Sequence, residues 1–169
     1  MFVSAETLLL QLDYTSWASR RLVEAAAALS EAELIHDFKT ADKSVLGTLV
    51  HLYVSERIWL ARLQIAPYPV PPVSETDYRF AVLQNEWPVL LDRWKQWASG
   101  LTDQDVQQLV SYTDTRGRWW EEPLWQLLLH VVNHGTHHRG QVSGFLRSLG
   151  HAPPPLDLTL YYRSLASRS

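Results

Sequence analysis

Proline is the residue a helix interior tolerates least, because its ring removes a backbone hydrogen bond and clashes with the preceding turn. The nine prolines of this chain are confined to Pro67, Pro69, Pro71 and Pro72 in one run, Pro153, Pro154 and Pro155 in another, and Pro88 and Pro123 singly. Long stretches between them are free to be helical. Ala5 to Leu29 has no Gly either, is rich in Leu and Ala, and reads as a first helix closed at Leu29-Ser30-Glu31. Ser44 is suited to cap a second helix over Val45 to Leu63, within which Gly47 is a local weakness rather than a stop. The proline run 67–72 then reads as an extended connection. A third helix starts near Ser74 or Thr76 and runs to Gly100 through Leu83, Trp87, Leu90, Leu91, Trp94 and Trp97, bent or broken at Pro88. Thr102 caps a short helix through Val106 and Leu109, and Tyr112 to Trp120 reads as a small hairpin-like excursion turning at Thr113-Asp114-Thr115-Arg116-Gly117. The last long helix begins around Glu122, with Pro123 in its first turn, and stops at Leu149 before Gly150. The prolines at 153–155 forbid further helix. The expected architecture is all-α, a four-helix bundle with one hairpin-like excursion before the last helix.

Composition bounds what such a bundle does. At 169 residues, with 46% apolar residues and eight Trp, the chain has material for one core, so a single domain over residues 1–169 is expected. A net charge of -3 lacks the basic excess that phosphate-backbone binding needs, which argues against a nucleic-acid partner. No cysteine is present, so disulfides, cysteine-ligated zinc and a cysteine nucleophile are excluded, and a metal would have to use His and carboxylates. Glu6 and the lack of Lys or Arg before Arg20 do not fit a secretory signal, and no apolar run approaches the roughly twenty residues of a bilayer span. The expectation is a soluble, cytoplasmic protein with no membrane partner.

Four of the seven histidines fall in one helical segment, at His130, His134, His137 and His138. At about 100° per residue, Leu124, Leu127, Val131, Val142, Phe145 and Leu149 form an apolar stripe, with His134 and His138 within or at the edge of it. His130 and His137 point to its side. Two imidazoles at i and i+4 share a helix face and are close enough to bind one ion. The spacing matches that of zinc-protease helices, but the Glu of that motif is absent. A solvated or hydrogen-bonded polar face is the alternative, and burial weighs against it, since an unpaired buried imidazole forfeits about 1–3 kcal/mol. His51, in the second helix on the face of Gly47, Val54 and Ile58, offers a third ligand, although a satisfied core histidine is equally compatible with its position. Ligating imidazoles commonly donate their second N–H to a neighbour. Gln141, Glu56 and Asp13 are the candidates for that role, with Glu56 alternatively a solvated carboxylate or a partner of Arg57 or Arg62. Arg139 could pair with an acidic neighbour or meet a substrate carboxylate. The tryptophans of the third helix and the Trp119-Trp120 pair are read as core by default, with any exposed members lining a pocket or a dimer interface. One Glu33-x-x-His36 pattern resembles a di-iron motif but lacks its repeat and is set aside.

The run His130-Val131-Val132-Asn133-His134-Gly135-Thr136-His137-His138-Arg139-Gly140-Gln141 closely resembles the motif of DinB-like proteins, the DinB/YfiT-like superfamily. Thr48-Leu49-Val50-His51 with Glu56 and Trp59 is similar to that family's second-helix motif, and Tyr14 with Trp17 and Asp157 with Tyr161 match its two ends. The resemblance covers nearly the whole chain. It implies a four-helix bundle in which His51, His134 and His138 bind a divalent ion, zinc or nickel. It further implies a thiol-dependent transferase using a low-molecular-weight thiol and a small-molecule electrophile, with a metal-dependent hydrolase or a non-catalytic, stress-related metal-binding protein as alternatives, and a homodimer as the assembly. Three neutral imidazoles leave a fourth coordination position open, the arrangement of catalytic rather than structural zinc.

Overall fold

The computed structural model describes residues 3–64 and 74–167. Helix α1, Ala5–Ala26, begins where the Ser4 side chain accepts the Thr7 N–H, and ends three residues earlier than its composition suggested. The Ser30 junction is itself a helix start. Ser30 and Glu33 form a reciprocal capping box on the one-turn α2, Glu31–Leu34. That bond, and a 2.9 Å contact from His151 to Glu33, occupy the carboxylate set aside above as a di-iron ligand. Helix α3, Val45–Leu63, has the expected bounds and the expected cap, with Ser44 accepting the Gly47 N–H.

The anticipated third helix is three pieces. A 3-10 turn at Glu75–Tyr78 precedes α4, Phe80–Asn85, and α5, Trp87–Ala98. Pro88 sits in the first turn of α5, where its missing N–H leaves no partner short, so the chain breaks before it rather than bending through it. The proposed polyproline connection at Pro67, Pro69, Pro71 and Pro72 lies outside the described residues. Thr102 and Asp105 bond to one another around a single 3-10 turn, Asp105–Gln107, in place of the short helix expected there.

The excursion is a true antiparallel hairpin, β1 Leu109–Thr113 and β2 Trp119–Pro123, in which Tyr112 faces Trp120. Its turn closes on the Asp114 carboxylate, which accepts N–H groups of Arg116 and Arg118, and on Gly117, whose φ of 77° a side chain would resist. Pro123 therefore ends a strand instead of opening the last helix, and α6 runs Leu124–Ser148, ending before Gly150 at φ 84°.

One element contradicts the expectation that residues 153–155 end all helix. After those prolines Asp157 stands at the N-terminal boundary of α7, Leu158–Ala166, without a side-chain capping bond, and Tyr161 packs 5.7 Å from Tyr14 and 5.5 Å from Trp17. The aromatic residues of the two chain ends thus meet on the outside of α1.

Helix α6 packs against α1 and α3, while α1 also packs on α5 and α3 on α4 and α5, which closes a four-helix bundle around Leu8, Leu22, Leu49, Leu52, Leu60, Leu128 and Leu146. Trp87 and Trp94 are buried in it as expected, but Trp119 and Trp120 are exposed on the hairpin. No helix among the described residues is long and apolar enough to cross a membrane.

Candidate metal centre

The buried line of α6 passes through Leu128, Val131, Val132, Gly135, Arg139, Val142 and Leu146, rotated slightly from the stripe drawn on apolar residues alone. Helical phase then puts His134 and His138 on the shoulder of that line, half-buried and facing α3, and leaves His130 and His137 exposed. From α3, His51 reaches the same point. Its Nε2 lies 3.0 Å from the Nε2 of His134, and its ring centroid is 4.4 Å from that of His138. One nitrogen from each of His51, His134 and His138 falls within 4.8 Å of the other two, the only such cluster among the described residues.

The donor set fits a divalent ion. Two nitrogens each about 2.0–2.1 Å from a tetrahedral zinc are about 3.3 Å apart, close to the 3.0 Å here. Desolvation first, and then the neighbouring imidazoles of His138 and His51, push the His134 pKa down to about 4, so its ring is neutral and a lone-pair donor at pH 7. Burial also lowers His138, against the opposing effect of its bond to Gln141. In that bond His138 Nδ1–H donates to Gln141 Oε1 at 2.7 Å, which fixes the proton on Nδ1 and leaves Nε2 free to bind. Gln141 thus sits where the sequence placed it, one turn beyond His138.

Glu56 does not approach the histidines. It is buried on the other side of α3, where Trp87 Nε1–H donates to Oε2 at 2.7 Å, and it is neither solvated nor paired with Arg57 or Arg62. Arg57 instead forms a two-pronged bridge to Asp77 at 3.1 Å. Asp13 is also elsewhere, 3.4 Å from Lys95. Arg139 meets no solvent. Its guanidinium is buried 5.5 Å from the Tyr14 ring centroid and donates to Thr136 at 3.1 Å, in space that exists because residue 135 is Gly.

The carboxylate at the centre is Asp42, which the sequence reading missed. Its Oδ1 is 3.7 Å from His51 Nδ1 and its Oδ2 3.7 Å from His138 Nδ1, beyond direct hydrogen-bond range but placed to favour protons on both outer nitrogens. A tight turn presents it. Phe38 N–H donates to Lys43 O at 2.7 Å, Lys39 and Lys43 take positive φ, and the Phe38 ring stacks on Phe145 of α6 with centroids 4.2 Å apart. The turn lies against α3 at Gly47, where an added Cβ would collide with the Asp42 carbonyl oxygen. The one available signal was that glycine, three residues inside a helix that otherwise has none.

Gly47→Ala should therefore destabilise the fold by about 1–3 kcal/mol, the usual cost of overpacking, although Ala is the better helix former by about 1 kcal/mol. Because the displaced backbone carries Asp42, metal affinity should fall on the order of tenfold as well. Urea denaturation and a competitive metal titration check the two effects.

Comparison with known proteins identifies the family and the fold. The model of the DinB family matches residues 1–168. Protein DinB of Bacillus subtilis (strain 168) is 24% identical over 163 residues, covering 88% of this chain and 90% of that protein. The crystal structure of a DinB-like protein from Bacillus cereus ATCC 10987 superposes with a TM-score of 0.68 at 19% identity, over 92% of this chain and 99% of the other, and shares the fold. With a family match over nearly its whole length, a helical bundle and three histidines positioned for a metal ion, the chain belongs to the DinB family.

Proposed function

We propose that the chain is a metal-dependent enzyme that joins a low-molecular-weight thiol to a small electrophile at His51, His134 and His138. The observation that carries this reading is the convergence of three imidazoles with no fourth His, Cys, Asp or Glu ligand among the described residues. Three protein ligands and an open position are the pattern of catalytic zinc, whereas structural sites close with four. A divalent ion held there, zinc or nickel, would supply positive charge that favours the deprotonated form of a thiol or of water.

The chain's own residues prepare that site. Burial keeps His134 uncharged, Gln141 holds the His138 proton on Nδ1, and the Asp42 carboxylate lies 3.7 Å from the outer nitrogens of both His51 and His138. The chain has no cysteine, so the reacting sulfur belongs to a substrate. The same reading takes the protein to work in the cytoplasm as a homodimer, an assembly that sedimentation of the purified chain would reveal.

The test is a panel of cellular thiols, among them glutathione, cysteine, bacillithiol and mycothiol, offered with electrophiles such as a chlorodinitrobenzene to zinc-loaded and nickel-loaded protein. The expected result is S-conjugate formation that stops on chelation and in His134→Ala. Turnover of an ester or amide without any thiol would replace this reading with a hydrolase, and a metal-loaded protein inert to the whole panel would leave it a metal-binding protein.

A further inference from the structure

One helical turn before His134, the hairpin, α3 and α6 border a slot of about 170 Å³, open to solvent and lined by Trp59, Tyr112, Glu122, Gln126, Leu127 and His130. Its walls are ring faces and edges. Trp59 meets Tyr112 and His130 edge-on, each with centroids 5.2 Å apart and planes at 63°, and the His130 ring is in turn 5.9 Å from that of His134. The slot therefore adjoins the metal centre through a single imidazole.

Three features define what fits. The volume is close to the roughly 150 Å³ that accommodates benzene in a protein interior. The ring edges and faces around it favour a further aromatic ring, which gains from offset or edge-to-face contact beyond its buried area. Tyr112 O–H donates to Glu122 at 2.8 Å, so an apolar guest that leaves this bond in place does not orphan that pair. Charge adds a fourth feature. The Arg62 guanidinium carbon lies 5.0 Å from the Trp59 centroid and 5.5 Å from that of Tyr112, and no carboxylate comes within ion-pair distance of Arg62 among the described residues. A guanidinium held over aromatic rings keeps N–H donors that can meet an anion.

We propose that this slot binds a small aromatic acid, its ring between Trp59, Tyr112 and His130 and its carboxylate on Arg62, and so selects the electrophile for the adjoining histidines. The second half of that statement rests on the functional reading above; the first half does not. Benzoate is the probe, with benzyl alcohol as its uncharged counterpart, each titrated by calorimetry into chelator-treated protein and again after loading with nickel. Saturable benzoate binding is expected in both forms, tighter than that of benzyl alcohol. Trp59→Leu should weaken benzoate about tenfold, and His130→Ala, at an exposed position, by severalfold. Arg62→Gln should remove most of the preference for benzoate over the alcohol. In the nickel-loaded protein, enhanced relaxation of the benzoate ring protons would place the guest beside the centre. Benzoate binding that is absent, or that both Trp59→Leu and His130→Ala leave unchanged, would overturn the proposal. A protein that binds benzoate in this way but retains no metal would defeat the functional reading and leave the slot in place.

Discussion

His134→Ala should cost the protein its stoichiometric metal. Loss of an outer partner of a ligating histidine ordinarily weakens binding 10–100-fold, and loss of a ligand from a set of three should exceed about a hundredfold. His51→Ala and His138→Ala should do the same, because the three nitrogens lie within 4.8 Å of one another and no other described His, Cys, Asp or Glu joins that cluster. His137→Ala is the control. It has the same side-chain chemistry one residue from His138 but points to solvent, so it should retain one equivalent of metal. Because an ion that binds only the folded state stabilises it, the same contrast should appear in melting. Metal at a hundred times its dissociation constant adds about 2.7 kcal/mol to the wild type and to His137→Ala, and little to the other three. Elemental analysis of untagged protein and thermal melts with and without chelator measure both.

A second large effect is expected at Glu56, away from the metal. Burial raises its pKa from 4.5 to about 7, against the lowering by the Trp87 hydrogen bond and by the charge of Arg139. One carboxyl oxygen, Oε1, and the nearby Thr15 hydroxyl both lack a hydrogen-bond partner beside a cavity of about 10 Å³, room for one water. The sign follows from which state holds the proton. Below pH 4.5 the carboxyl is protonated both folded and unfolded, and its ionisation does not affect stability. Between 4.5 and 7 the unfolded chain releases a proton that the folded chain keeps, so stability falls as pH rises, and the loss is complete above the folded pKa. At 1.36 kcal/mol per unit the loss is on the order of 3 kcal/mol. Glutamine is isosteric with the protonated acid and does not titrate. Glu56→Gln should thus match the wild type near pH 4 and exceed it by on the order of 3 kcal/mol near pH 8. Urea denaturation at the two pH values decides it, and a difference that does not change with pH would contradict the assignment.

Both predictions concern residues whose type was plain in the sequence, yet only the first site was legible there. His134 and His138 share a helix face by their spacing alone, and α3 and α6 were bounded closely by Ser44 and Gly150, which act through local backbone chemistry. His51 was placed by the family resemblance, since its position on α3 did not by itself choose between ligand and core residue. The short elements were harder. Helix α2 is a single turn, too brief for periodicity, although its capping pair Ser30 and Glu33 was in view. Helix α7 follows a proline run that does not prevent a new helix from starting at Leu158.

Asp42 and Glu56 were illegible for a different reason. Each depends on contacts between residues far apart in the chain. Asp42 reaches the histidines because Phe38 stacks on Phe145 and because Gly47 lets the turn lie against α3. Glu56 is buried because Trp87, thirty-one residues later, closes over it. Local pattern reads a carboxylate in a Lys-flanked turn or beside an Arg as solvated, and only packing reverses that.

The most direct measurement is anomalous diffraction at the absorption edge of zinc or nickel, from crystals of metal-loaded protein. The account predicts one dominant peak bounded by the imidazoles of His51, His134 and His138, about 2.0–2.1 Å from a nitrogen of each. A peak elsewhere in the molecule, or one that His51 does not touch, would contradict it.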